Sequence, residues 1–151
     1  MLTALSTLWA FLVLMATQLA LRTNAGVDFQ ARVMGDTSAT GTGAYRSATY
    51  IGLATSSGVT PAAGDTTMSG EVTAGTLTRA QAVYAHTNGT NTYTLTKTFT
   101  SDSSVTVYRI GVFNATSTAD SNNTLVFHTT LNATATLVSG DQLQITETVT
   151  L

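Results

Sequence analysis

The feature that most constrains this chain is a period of two running through its C-terminal two-thirds, in which threonine alternates with apolar residues. It is clearest at 91–100 (NTYTLTKTFT), where Tyr93, Leu95, Lys97 and Phe99 point one way and the threonines the other. The stretch 141–151 repeats the device, with Leu143, Ile145, Val149 and Leu151 on one face. Thr accounts for 33 of 151 residues. It is β-branched and favours strands, while its hydroxyl tolerates water, so this alternation describes half-buried strands. Further candidate strands lie at 48–54, 77–87, 104–113 and 124–131. Turn signals separate them at 88–91, 101–104, 118–123 and 139–142, and the HTNGTNTY stretch around 86–93 is the strongest hairpin signal. Short strands with regular turns and no helices between them predict a mainly β fold, an antiparallel β-sandwich of Ig-like or jelly-roll-like type.

The chain divides into three parts: an apolar helix or arm at 1–21, a short helix and loop at 22–47, and the β-domain at 48–151. Residues 1–21 carry no charge and are almost wholly apolar, long enough as a helix to cross a bilayer. No Lys or Arg precedes the apolar run, which disfavours a secretory signal. A membrane anchor, a helix buried against other protein, and an upstream extension preceding a start at Met15 remain open. In the second part Asn24 is placed to cap a helix over 25–34, with Val27, Ala31 and Met34 at helical spacing beside Phe29, and Gly35 to stop it.

Charge is scarce. Only 9% of residues are charged and the net charge is −2, against about a quarter charged in typical soluble proteins. Nucleic acid is therefore an unexpected partner, because phosphate binding needs clustered Lys or Arg. Disorder is equally disfavoured, since it needs low hydrophobicity with high net charge. A neutral, Thr-covered exterior suits packing against many neighbours better than life as a dilute monomer. The absence of cysteine removes disulfides, thiolate metal sites and thiol nucleophiles together.

The inventory for chemistry is short: His86, His128, eight carboxylates, one Lys and five Arg. No nucleophile elbow, zinc-protease helix motif, phosphate loop or dinucleotide fingerprint occurs, and no catalytic, cofactor or metal site is expected. His86 reads as a strand-end side chain bonding turn backbone. His128 reads as a mid-strand residue on the face opposite Leu125 and Phe127, exposed or interfacial. A metal site on the two histidines would need a third ligand such as Asp102 or Asp120, and no spacing supports one. Lys97 and Glu147 fall on the apolar sides of their strands. Unpaired buried charge is costly, so they are expected near a sheet edge or subunit interface, as partners of one another. Four N-x-T triplets, at Asn88, Asn114, Asn122 and Asn132, read as turn chemistry.

The succession RTNAGVDFQARVMG, YIGLATSSGVTPAAGDTTMSGEV, LTRAQAVYAHT, YTLTKTFT, VYRIGVFNA and LVFHTTLNATATLVSGDQLQITETVTL resembles small virion structural proteins of tailed bacteriophages. These are Ala/Thr/Gly-rich β-sandwich proteins found as capsid decoration (cement) or as tail and fibre components. The resemblance spans about residues 22–151, and TPAAGDTTMSGE, IGVFNA and the terminal SGDQLQITETVTL are its most specific segments. It implies a non-enzymatic fold, homo-oligomeric packing (a trimer is one form) and contact with major capsid or tail proteins, in a virion assembled in the host cytoplasm. The absence of a coiled-coil or collagen-like shaft favours decoration over a fibre. The competing expectation is a membrane-anchored surface or adhesion module, with membrane contact only through residues 1–21 and a β-domain that binds a glycan or protein.

Overall fold

A computed structural model describes residues 11–16, 21–35 and 47–150. Its elements are β1 (Phe11–Ala16), β2 (Leu21–Arg22), α1 (Asn24–Gly35), β3 (Tyr50–Ala54), β4 (Ala80–Gln81), β5 (Val83–His86), β6 (Thr92–Thr100), β7 (Val105–Phe113), β8 (Leu125–Leu137) and β9 (Gln142–Thr150). They form two sheets: β1-β9-β6-β5, called sheet A below, and β2-β8-β7-β3-β4, called sheet B. The fold is mainly β, as the period of two predicts.

In sheet A the alternation works as the sequence implies. On β9 Leu143, Ile145, Glu147 and Val149 are buried while the intervening Gln and Thr residues are exposed or half-buried. On β6 Leu95 and Phe99 are buried on the same side. The apolar ones among these join Ile51, Leu53, Val107, Ile110, Val112 and Phe127 of sheet B in one hydrophobic cluster between the sheets. The outer face of sheet A is a ladder of neutral side chains, with Thr94 opposite Thr148, Thr96 opposite Thr146 and Thr98 opposite Gln144.

Sheet B does not follow simple alternation. Val107 lies in the central cluster, and so do Ile110 and Val112, so the side-chain phase shifts between them. The cause is a bulge: Val107 pairs with Ala135 but Arg109 pairs with Thr130, which leaves four residues of β8 facing one of β7. By unbroken alternation Arg109 would point into the core with Val107. The bulge turns it to the outer face of the sheet. There the loop 55–79 covers it, so sheet B is buried on both sides over Arg109–Phe113 and three layers result at that point.

Two of the crossings between the sheets are tied together. Ser101 N–H donates to Asp141 O (2.8 Å) and Gly140 N–H to Ser101 O (2.7 Å), joining the β6–β7 and β8–β9 connections. Gly140 adopts φ 93°, a left-handed turn conformation that favours glycine. The hairpin predicted at 86–93 is present, with His86 opposite Tyr93 and Gly89 at φ 85° in the loop.

Several expectations are corrected. Of the apolar segment expected as a helix, residues 11–16 form strand β1, and Leu21 belongs to β2; the rest of 1–21 lies outside the described residues. β1 pairs with β9 in parallel, so the sheets are not wholly antiparallel. The short helix is present, but its cap is Thr23 rather than Asn24: Thr23 Oγ1 accepts from Gly26 N–H (2.9 Å). Val27, one of the apolar residues at helical spacing, is exposed, while Phe29 beside it packs on the core. The strand expected at 77–87 is two short ones, because the chain leaves sheet B after Gln81 and enters sheet A at Val83. β8 continues to Leu137, since the bulge absorbs the polar NAT run that seems to end it at 131. Among the described residues no helix is long and apolar enough to cross a membrane.

Candidate functional site

The outer face of sheet B holds the densest group of polar side chains. Gly52 and Gly111 are directly paired across β3 and β7, and a Cβ on Gly111 would come within 2.8 Å of the Phe113 ring. Two bare glycines therefore leave the hollow in which that ring lies. Phe113 packs with Ala54, Met68 and Leu125 in a second small cluster. The Arg79 guanidinium lies over the ring, 3.4 Å from its centroid.

Arg79 is buried and fully engaged. Nε donates to Glu71 Oε1 and Nη2 to Glu71 Oε2, both at 2.8 Å, a fork-to-fork pair. Nη1 donates to Ala115 O (3.1 Å) and Asn123 Oδ1 (2.6 Å). One guanidinium thus joins the 55–79 loop to the β7–β8 connection. Asn114 closes that connection on itself, its amide donating to Asn122 O and its Oδ1 accepting from Thr124 N–H (2.9 and 2.7 Å).

A second chain of contacts runs through β8. Arg109, 1% exposed, donates through Nη2 to Ser69 O (2.7 Å) and Ser56 O (3.2 Å), and through Nη1 to His128 Nε2 (3.1 Å). Since a guanidinium can only donate, Nε2 must accept, and the imidazole proton sits on Nδ1. That proton is donated to Asp65 Oδ2 (2.8 Å). The Asp65 carboxylate also accepts from Ala62 N–H (2.9 Å), and that bond is the main cause holding its pKa below the usual value. Burial, aided by the Arg109 charge, pushes the His128 pKa below its ordinary value despite the Asp65 bond, which favours the cation. His128 is therefore neutral at pH 7. Because its folded pKa is lowered, its contribution to stability is present above the ordinary histidine value and declines as the pH falls below it.

The arrangement fastens a loop rather than activating a nucleophile. An Asp–His pair is the rear half of a hydrolase triad, but the nitrogen that would face a serine is occupied by Arg109 and the ring is buried. Beside the Arg79–Glu71 pair lies a cleft of about 140 Å³, lined also by Val72, Thr73, Thr78, Thr116, Ser117 and Thr118. Its two charged groups are already paired with one another, so the rest of the lining offers a ligand hydroxyls, backbone and the Val72 side chain.

The residues singled out in the sequence disperse. His86 ends β5 and donates from Nδ1 to Thr92 O (2.8 Å), in the strand-end role expected of it. His128 does face away from Phe127, but it is buried under the 55–79 loop rather than exposed or interfacial. Asp102 accepts from Thr76 N–H (3.1 Å) and Asp120 from Asn122 N–H (3.0 Å). Among the described residues no three His, Asp or Glu groups are placed to hold a metal. Lys97 and Glu147 share a face, but β6 and β9 are interior strands of sheet A, not edges. Glu147 pairs with Leu95 and Lys97 with Ile145, and among the described residues no ion pair joins the two charges. Asn114 and Asn122 do serve turn chemistry and Asn88 lies in the hairpin loop, whereas Asn132 lies in β8.

Sequence reading missed Asp65, Glu71, Arg79 and Arg109. The usable signal was Arg109 within YRIGVF, where both parities are apolar or glycine and so both faces of the strand must be covered. The segments TPAAGDTTMSGE and IGVFNA, singled out for their look, meet here: the first supplies Asp65, Met68 and Glu71, the second Gly111, Phe113, Asn114 and Ala115. Against protein-family models, curated proteins and solved structures, nothing matches this chain.

Proposed function

We propose that this protein is a non-enzymatic structural component of a tailed-phage virion, a capsid decoration that packs against copies of itself and against the capsid surface. On this reading its two facing sheets are a β-sandwich of the Ig-like or jelly-roll-like kind. The observation that carries the proposal is where the charge goes. Arg79, Glu71, Arg109, His128 and Asp65 are consumed in fastening the 55–79 loop to sheet B, while the outer face of sheet A displays Thr and Gln. A chain that puts several of its few charges into internal pairs and shows a ladder of neutral side chains on one sheet is suited to crowded, repetitive packing.

Peptide mass spectrometry of purified particles from the producing host tests this. A decoration protein is expected in copy number comparable to the major capsid protein. Far fewer copies would move the chain to the tail or a fibre, and its absence from particles would overturn the virion reading.

A further inference from the structure

β5 is one of the two edges of sheet A, opposite β1, and among the described residues it is bonded to β6 on one side only. All four of its residues are exposed, Val83 at 72% and Tyr84 at 55%. Open edges are usually blunted by Lys, Pro, a bulge or a covering segment, because their free N–H and C=O groups template pairing with another chain. Among the described residues β5 has none of these: residues 80–87 (AQAVYAHT) hold no Lys, Arg, Asp, Glu or Pro, and its register with β6 is unbroken.

The edge is also held in place before any partner arrives. At its start Ala82 N–H donates to Thr49 O (2.8 Å), fixing the crossing from sheet B. At its end His86 is bonded to Thr92 O (2.8 Å). Between them Tyr84 leans on Tyr93 with ring centroids 5.4 Å apart. A strand ordered in advance loses little further freedom on pairing. The edges of sheet B are poorer templates, since β2 and β4 are each two residues long.

We propose that β5 is a self-association edge, on which Val83–His86 of one molecule pairs antiparallel with the same strand of a second copy about a two-fold axis. The occupant follows from charge and symmetry. An uncharged edge meets its own copy without repulsion, and a two-fold contact needs one self-complementary patch. An axis normal to the sheet keeps each face continuous, so the register centres on a residue. Centred on Tyr84, it sets Val83 opposite Ala85 of the second copy, covers both exposed apolar side chains and joins two four-stranded sheets into one of eight. The inference rests on the proposed function only in treating the chain as a self-packing building block.

The full chain in sedimentation velocity is expected to show a concentration-dependent dimer. Val83→Lys/Ala85→Lys sets like charges opposite one another twice and should weaken association by about tenfold or more, while the melting curve by circular dichroism stays near that of the parent. Because the chain has no cysteine, Ala85→Cys provides a second readout that needs no disruption. A short bismaleimide should join two copies through it, and should fail with Ser57→Cys in the 55–79 loop. A parent chain monomeric at its highest soluble concentration, a folded double-lysine variant that dimerises undiminished, or an Ala85→Cys chain that does not cross-link overturns the proposal. So does a β5 that gains amide protection only from another protein's strand. None of these outcomes alters the mass spectrometry of particles, so the two readings fail separately.

Discussion

Glu147 is a costly side chain to hold in the interior. It is 0% exposed, Thr129 donates one weak hydrogen bond to Oε1 (3.3 Å), and Oε2 has no partner among the described residues. Removal from water is the main cause that raises its pKa from 4.5 to about 7, with the Thr129 bond opposing. The sign follows: the folded chain holds the proton that the unfolded chain releases above its ordinary value. Stability is therefore lost as the pH rises from 4.5 to about 7, and each pKa unit is worth about 1.4 kcal/mol. Glu147→Gln, which keeps shape but cannot ionise, should match the parent in denaturant unfolding near pH 4 and exceed it at pH 8 by on the order of 3 kcal/mol. Equal stability of the two at pH 8 would show that the carboxylate finds a cation when charged. The strand alternation puts Glu147 on the apolar face, so its position was legible. Its isolation was not, because whether the diagonal Lys97 reaches it depends on side-chain path rather than on register.

At the scale of elements, the 55–79 loop is the part whose order depends on polar contacts. It has almost no regular structure and few large apolar residues beyond Met68 and Leu77, yet it covers the part of sheet B around Arg109, Phe113 and His128. Two buried guanidinium groups from opposite directions hold it, Arg79 within the loop's end and Arg109 from β7. Glu71→Gln removes the charge partner of a buried Arg79 and should cost roughly 3–5 kcal/mol in urea unfolding, because the remaining charge is uncompensated. Glu71→Leu/Arg79→Met, which removes both charges with similar volume, should recover most of that loss. A double variant no better than the single one would mean that Arg79 acts through Ala115 and Asn123 rather than through Glu71. This is also where sequence reading ran out. Strands β6 and β9 were legible because one face meets water and the pattern alternates. YRIGVF marks a strand covered on both faces, but the face Arg109 takes was not legible, because the bulge that turns it outward arises from the pairing of β7 with β8 and no local pattern in VTVYRIGVF records that pairing.

Over the whole molecule, protection is graded from one centre. β7 has bonded neighbours on both sides, β8 and β3, and is buried on both faces from Arg109 to Phe113. β9 also has two neighbours, but its outer face meets solvent along alternate residues. β5 has one neighbour and four exposed residues. Amide exchange follows the free energy of local opening, which is largest where bonds and apolar contacts are densest and approaches zero at free edges. In dilute solution the amides of Ile110–Phe113 should exchange slowest, those of β9 and β6 next, and those of β5 that point away from β6 fastest. Raising the protein concentration should then slow only the β5 group, since self-pairing adds bonds at that edge and nowhere else. An edge already as protected as β7 in dilute solution would mean that its N–H groups are satisfied within one molecule, and the sheet would have no open side to offer.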